Sequence, residues 1–480
     1  LDEFRVETSR EMEASALAIN EQRFASNIKN VLSTDEFGNV SEGNVAEFLK
    51  FLPGVTIDYT GGNARDISIN GVPSNNVPVT LDGFGIASAP GNATGRSVAS
   101  DMISINNLSR IEVSYSPTPE SQGSALAGSV NMVPRSAFER VKPVLNASVY
   151  VIMRDNARDF NKVPGPKPSP TRNVHPGFDF AYVAPVNKRF GYTLSAGTST
   201  NYSPQDNNQN TWRGVQSATN GTTFAHTTVG NPYLSQYQVQ DAPKVTTRRS
   251  VGASIDFKFS AYDRVTLGFQ YSSFDGQYIV SSVNFNVGGV RLGDFTTTST
   301  QGAPGAGVLQ SVHQERNRFN RTRMPTMVWR HDGPVWKADG GLGYSLQDDG
   351  NPDTEQGYFR NVTMQRTNVT IAYKDIFYLR PNEITVRDGA TGAPVDPFAL
   401  STYAMVSAAT QVDTNIDRQK TAYGSLRRNF YTRIPFTLKT GFDVRQTIRD
   451  NRGGTGTNNF VGRDGRASTT PVGNDDSPVP

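Results

Sequence analysis

Cysteine is missing from all 480 residues, which excludes a disulfide framework and any thiolate metal site. An oxidising envelope, where free thiols are a hazard, is compatible with that absence. Long apolar runs are missing too: nothing approaches the roughly 18 consecutive residues of a membrane helix. Charge of one sign is scarce. The 47 Lys and Arg nearly cancel 44 Asp and Glu to leave +3, and no basic block offers a footprint for nucleic acid. Histidine occurs four times, at His175, His226, His313 and His331, without triad or metal-ligand spacing. No G-x-S-x-G or H-E-x-x-H occurs, and no G-x-G-x-x-G follows a strand to open a helix. Asp348 to Asp353 is rich in oxygen ligands but misses the calcium-loop spacing, so a solvated acidic turn is expected there. No catalytic residue, cofactor or metal is expected. Leu1 opens no signal peptide, because Asp2, Glu3 and Arg5 interrupt any apolar stretch. A processed or excised chain is therefore expected.

What the sequence does have is alternation. Val251, Ala253, Ile255, Phe257 and Phe259 alternate with Ser250, Gly252, Ser254, Asp256 and Lys258. Val265, Leu267, Phe269 and Tyr271 alternate with Thr266, Gly268, Gln270 and Ser272. Phe190 to Gly197, Trp336 to Leu346 and Ile434 to Val444 repeat the pattern, and fainter versions lie at Leu145 to Met153, Phe178 to Val186, Arg323 to Arg330 and Ala422 to Phe430. Segments near ten residues long, apolar on one face, suit strands crossing a bilayer at a tilt. About nine such strands are predicted.

The connections fall into two sizes. Short turns sit at Asn187-Lys188-Arg189, Ser260 to Asp263, Asp332-Gly333-Pro334 and Tyr431-Thr432-Arg433. Long polar stretches run over Arg154 to His175, Asn201 to Lys244, Asp275 to Glu315 and Asp348 to Asp417. Short periplasmic turns alternating with long outer loops are the asymmetry of an outer-membrane barrel.

Residues 44 to 135 have a different texture. Val45, Phe48, Leu49 and Leu52 form a helical stripe, with Asn44 placed to cap it and Pro53-Gly54 to end it. Short strands follow at Val55 to Tyr59, Ile67 to Ile69 and Val77 to Leu81, the last closed by the turn former Asp82-Gly83. After a small-residue passage come Arg110-Ile111-Glu112-Val113, the run Gly123 to Gly128, and Val130 to Pro134. Read locally, this is a small α/β domain.

In that order these blocks resemble the plug domain of TonB-dependent outer-membrane receptors, with the likeness covering roughly residues 40 to 140. The resemblance implies a mostly β protein, a transmembrane antiparallel β-barrel with an α/β plug in its lumen. The expected division is a terminal extended segment over 1–39, a plug over 40–140 and the N-terminal part of the barrel over 141–480. Plugged transporters close with about 22 strands, so nine imply a fragment.

The resemblance also implies a TonB partner, outer-membrane lipid around the wall and a scarce solute as ligand. Siderophore and oligosaccharide lead, cobalamin stays open, and so few loop histidines disfavour haem. Glu3, Phe4, Arg5, Val6, Glu7 and Thr8 are similar to the TonB box, which binds by strand addition. Arg110 and Glu112 are the candidates for plug-to-barrel contact, while Asn70 stands where the family often has Arg. Ser74, Asn75, Asn76, Phe84 and Arg96 are the candidate plug apex. Tyr202, Trp212, Tyr233 and Tyr237 are candidate ligand aromatics in an outer loop, or residues of a self-packed loop. Two rivals remain open: a passive outer-membrane barrel or adhesin with a stopper, and a secreted glycan-binding β-protein.

Overall fold

A computed structural model describes residues 14–25, 27–34, 44–60, 63–89, 97–100, 108–119, 121–153, 158–163, 171–214, 227–228, 230–378 and 380–461. The first layer comprises α1 (Ala14–Arg23), β1 (Lys29–Ser33), α2 (Val45–Leu49), β2 (Val55–Thr60), β3 (Asn63–Ile69), β4 (Val79–Leu81), β5 (Phe84–Gly85), β6 (Leu108–Ser114) and β7 (Ser129–Pro134). A five-stranded sheet runs β1-β6-β7-β4-β5, parallel only at β4–β7, and β2–β3 forms a separate hairpin. The Asn44 side chain caps α2 by accepting from the Ala46 N–H at 2.9 Å. Val45, Phe48 and Leu49 then bury almost completely against Ile67, Ile69, Ile111, Val130 and Met132.

Residues 14 to 33 depart from the extended segment expected before residue 40. Alanine and glutamate there favour a helix, and α1 lies beside β1, with Gln22 accepting from the Val31 N–H. Val31 is buried and pairs opposite Glu112, and β1 is an edge strand of the sheet. Asn70 and Gly71 both have positive φ (51° and 76°), and Ile69 bridges Val72 across them. That is a type I′ turn, whose left-handed first position favours Asn over a long side chain. Asp82 (φ 48°) and Gly83 (φ 82°) form a second one between β4 and β5.

The wall follows: β8 (Val144–Ile152), a small ribbon of β9 (Lys162–Val163) and β10 (Thr171–Arg172), β11 (His175–Pro185), β12 (Phe190–Ser203), a second ribbon of β13 (Asp206–Arg213) and β14 (Tyr233–Asp241), β15 (Lys244–Lys258) and β16 (Asp263–Asn286). Then come β17 (Val290–Phe295), β18 (Thr300–Gly302), β19 (Gly307–Asp332), β20 (Trp336–Asn351), β21 (Asn361–Phe377), β22 (Arg380–Asp388), β23 (Ala404–Phe430) and β24 (Phe436–Asn459). Antiparallel pairing runs β8-β11-β12-β15-β16-β19-β20-β23-β24, nine wall strands in the predicted places. The tight connections fall at 186–189, 259–262, 333–335 and 431–435. Side-chain parity holds as well. Val251, Ile255, Leu267 and Phe269 are exposed on the outer face, whereas Ser250, Ser254 and Asp256 are buried on the inner one.

The described residues of the long polar stretches form strands where loops were expected. β16, β19 and β23 have 24, 26 and 27 residues, well beyond the roughly 9–11 that cross a bilayer. Their upper halves carry β13, β14, β17, β18, β21 and β22 as added strands. A second apolar core forms there from Tyr233, Leu234, Phe285, Leu309, Ile371 and Tyr373, among others. Alternation hidden in Val369-Thr370-Ile371-Ala372-Tyr373 supplies it. No described helix is long and apolar enough to cross a membrane.

Candidate functional site

The first layer meets the inner face of the wall at one hairpin. The Asp82-Gly83 turn throws Phe84 outward from the small sheet, and its ring is completely buried. It seats over Gly341 and Gly343 of β20 and beside Tyr423 of β23, with ring centroids 5.4 Å apart. A Cβ at Gly343 would come within 2.5 Å of the Phe84 ring. Phe84 is thus a wall anchor, not an apex residue displayed to a ligand.

Beyond Phe84 the chain runs extended and is held by wall side chains instead of another strand. The N–H groups of Ala87, Ser88 and Ala89 donate to Ser345 Oγ (3.0 Å), Asp417 Oδ2 (2.8 Å) and Gln347 Oε1. The carbonyls of Gly83, Ile86 and Ser88 accept from Arg445, Gln419 and Arg449. Six main-chain groups are therefore satisfied by β20, β23 and β24. The approach is close at Gly85, where a Cβ would lie 2.2 Å from Gln419 Oε1 and push that amide aside. Asp417 is fully buried, with Arg449 Nε 3.5 Å from its second oxygen. Sequence reading missed this seam. The alternation marked Ser345, Gln347, Asp417 and Gln419 only as polar, inward positions.

On β15 and β19 the contact is sparser. Asp256 of β15 accepts from Ser136 Oγ (2.9 Å) and the Ala137 N–H (2.8 Å), and Asp82 pairs with Arg330 of β19 at 3.2 Å. Arg110 and Glu112, expected to reach the wall, pair with each other at 3.0 Å, and Lys29 joins Glu112 at 3.1 Å. Two residues apart on β6, they share one face of the strand and satisfy one another within the small domain. Burial works to raise the Glu112 carboxyl, but Lys29 and Arg110 outweigh it and hold the group below its usual range. Burial pushes Glu139 upward, against the Ser109 hydroxyl that donates to it.

Above the seam, on the inner face of β15, β16 and β19, cations lie over aromatic rings. Lys244 Nζ and the Arg316 guanidinium both stand over Tyr278, at 5.1 and 4.8 Å from its centroid, and Arg248 stands over Phe274 at 5.6 Å. Arg318 pairs with Asp349 at 2.9 Å in full burial.

The remaining candidates scatter. Ser74, Asn75 and Asn76 form a single exposed 3-10 turn after the Asn70-Gly71 bend. Tyr233 and Tyr237 are buried in the upper core, Tyr233 against Phe295 at 5.0 Å and the Tyr237 N–H donating to Tyr373 Oη. Trp212 packs on the same core and Tyr202 is buried on β12. Three of these aromatics fill a folded unit and Tyr202 sits on a wall strand, because alternating neighbours gave them strands to sit on. Glu3 to Thr8, Arg96 and His226 lie outside the described residues. Asp348 and Asp349 are taken by Arg323 and Arg318, and Asp353 by Thr410 and the Gln411 N–H. Among the described residues no group of metal-ligating side chains occurs.

A small sheet domain seated against the inner face of a strand wall that is apolar outside and polar inside defines a plugged-barrel class of protein. Residues 21–130 match the family model described as TonB-dependent Receptor Plug Domain. Over those residues the chain carries a plug domain of that family. Among solved structures it is similar to a variant of the ferric enterobactin receptor of Pseudomonas aeruginosa, at 10% identity and TM-score 0.38, over 85% of this chain and 63% of that one. It is also similar to the siderophore receptor PiuA of Acinetobacter baumannii (12%, TM-score 0.33, 87% and 61%). A third is the ferric-catecholate import receptor Fiu of E. coli (10%, TM-score 0.34, 90% and 67%). The chain thus spans less than two thirds of the first two. No curated protein matches the sequence.

Proposed function

We propose that this chain is part of an outer-membrane receptor that takes up a scarce anionic solute, a siderophore-type chelate above all, by TonB-coupled opening of its plug. The observation that carries the reading is the plug domain seated on the polar face of a wall whose other face is apolar. Such a wall gives every strand a hydrocarbon side and a water side. The layer of Lys244, Arg248 and Arg316 over Tyr278 and Phe274 supports an anionic, partly aromatic ligand, since cations near flat rings favour such groups. The exposed turn Ser74 to Asn76 supplies hydrogen-bonding groups from the plug side.

TonB engages Glu3 to Thr8 by adding a strand to a sheet edge, where main-chain bonds provide the affinity. Force applied there passes through α1 to β1, an edge strand of the plug sheet. Deleting residues 1 to 10 from the full receptor tests the coupling. Uptake of a ferric siderophore that the cells otherwise import should vanish, while its binding to the cell surface persists. Undiminished uptake would mean a passive wall with a stopper.

A further inference from the structure

On the lumen face near the short turns, like charges stand side by side. Lys258 of β15 is directly opposite Arg264 of β16, which is directly opposite Arg330 of β19. One step along the wall, Lys337 of β20 is opposite Arg427 of β23, which is opposite Lys439 of β24. Like charges at directly opposed positions destabilise a sheet, and the two rows of three meet at β19–β20, where Arg330 is opposite Asp339 and Lys337 opposite Asp332. All six side chains line one cavity of about 500 Å³. Its carboxylates are Asp263, Asp332 and Asp339, of which Asp263 is bonded to His331 at 2.9 Å and Asp332 to Lys337 at 2.7 Å. The cations outnumber them.

The cavity does not end at the wall. Arg264 and Arg330 also line a second cavity of about 260 Å³. That space lies between the plug, at Asp82, Arg110, Arg135 and Glu139, and the strands β15, β16 and β19. On the neighbouring strands β20, β23 and β24 the plug is held by the six-bond seam. On β15, β16 and β19 it is held by fewer contacts, with a gap.

We propose that the two cation rows form an anion site at the foot of the gap between the plug and β15, β16 and β19, and that this gap is the exit route for the solute. A multiply charged anion leaving the plug passes along β15, β16 and β19, and the two cation rows hold it before release. The route rests on the uptake reading above; the anion site does not. An unfilled double row costs stability through self-repulsion, and an anion bridging the rows relieves it. The same residues should therefore weaken the empty protein and strengthen the filled one.

The test uses the purified full receptor in detergent at low salt, titrated with inorganic pyrophosphate by calorimetry and by thermal unfolding. The wild type should bind pyrophosphate and unfold at higher temperature with it. Arg264→Gln combined with Lys439→Gln, one cation from each row, should weaken binding at least tenfold. That variant should unfold at the same or a higher temperature than wild type when no anion is present, which a merely damaged fold would not do. Arg264→Lys with Lys439→Arg should restore binding, and Asp82→Asn should keep it. Absence of pyrophosphate binding in the wild type, or equal binding in the Gln variant, would overturn the proposal. Neither readout involves TonB or uptake, so the two readings fail separately.

Discussion

At the residue scale, fit and charge decide different things. Phe84 sits where Gly341 and Gly343 leave no side chain on β20, so the wall is notched for one ring. Filling that notch overpacks it, at about 1–3 kcal/mol. Gly343→Val should lower plug stability by roughly that amount, and Phe84→Ala in the same chain should cost less than the two changes summed. A double-mutant cycle on plug unfolding measures the coupling.

Glu112 and Glu139 sit in the same domain yet have opposite pH signatures. Glu112 is held below its unfolded value, so its contribution is present above that value and lost as pH falls through the lowered one. Glu139 is held above its unfolded value, so the folded state keeps its proton longer and stability declines as pH rises through that interval. Glu139→Gln should therefore raise the plug's unfolding temperature at pH 7. Glu112→Gln should lower it at pH 7 but not at pH 3. Melting curves at the two pH values check both signs.

At the element scale, the segment from Gly83 to Ala89 behaves as a strand whose partner is a row of side chains. Each net hydrogen bond is worth about 1 kcal/mol, more where a charge takes part. Asp417 matters most, because removing one member of a buried pair leaves the other uncompensated at about 3–5 kcal/mol. Asp417→Ala should speed deuterium exchange at the amides of Ala87 to Ala89 while leaving β6 and β7 protected. Unchanged exchange at those three amides would mean that the seam is not what holds the segment. The upper strands β13, β14, β17, β18, β21 and β22 are a further element in this sense. They share a core around Tyr373, whose hydroxyl donates to the Phe285 carbonyl, and so they hold together without the plug.

For the whole molecule, the decisive division is between the two faces of the wall. Leu267 and Phe269 are 48% and 42% exposed on the outer face, a poor arrangement in water and a good one in hydrocarbon. Leu267→Arg should destabilise the membrane-inserted receptor by about 2–4 kcal/mol if it lies near the midplane. Gln270→Arg, on the lumen face of the same strand, should cost far less. Unfolding titrations in lipid vesicles distinguish the two, and equal costs would remove the membrane from the account.

Sequence alone determined whatever depends on near neighbours. A two-residue period put Val251 and Ser250 on opposite faces without reference to any partner strand. Asn44, Asn70-Gly71 and Asp82-Gly83 specify a cap and two tight turns through their own backbone preferences, and nine wall strands could be counted because each is periodic in itself. Tertiary structure decided what depends on register. Ser345, Gln347, Asp417 and Gln419 meet one plug segment only because β20 and β23 align them, from more than 250 residues away. Lys258, Arg264 and Arg330 become a row only when three strands pair, and Tyr233 turned from a candidate ligand contact into core once β14 found β16. Period is a local property of a chain; register is a long-range choice among many pairings, and no single segment contains it.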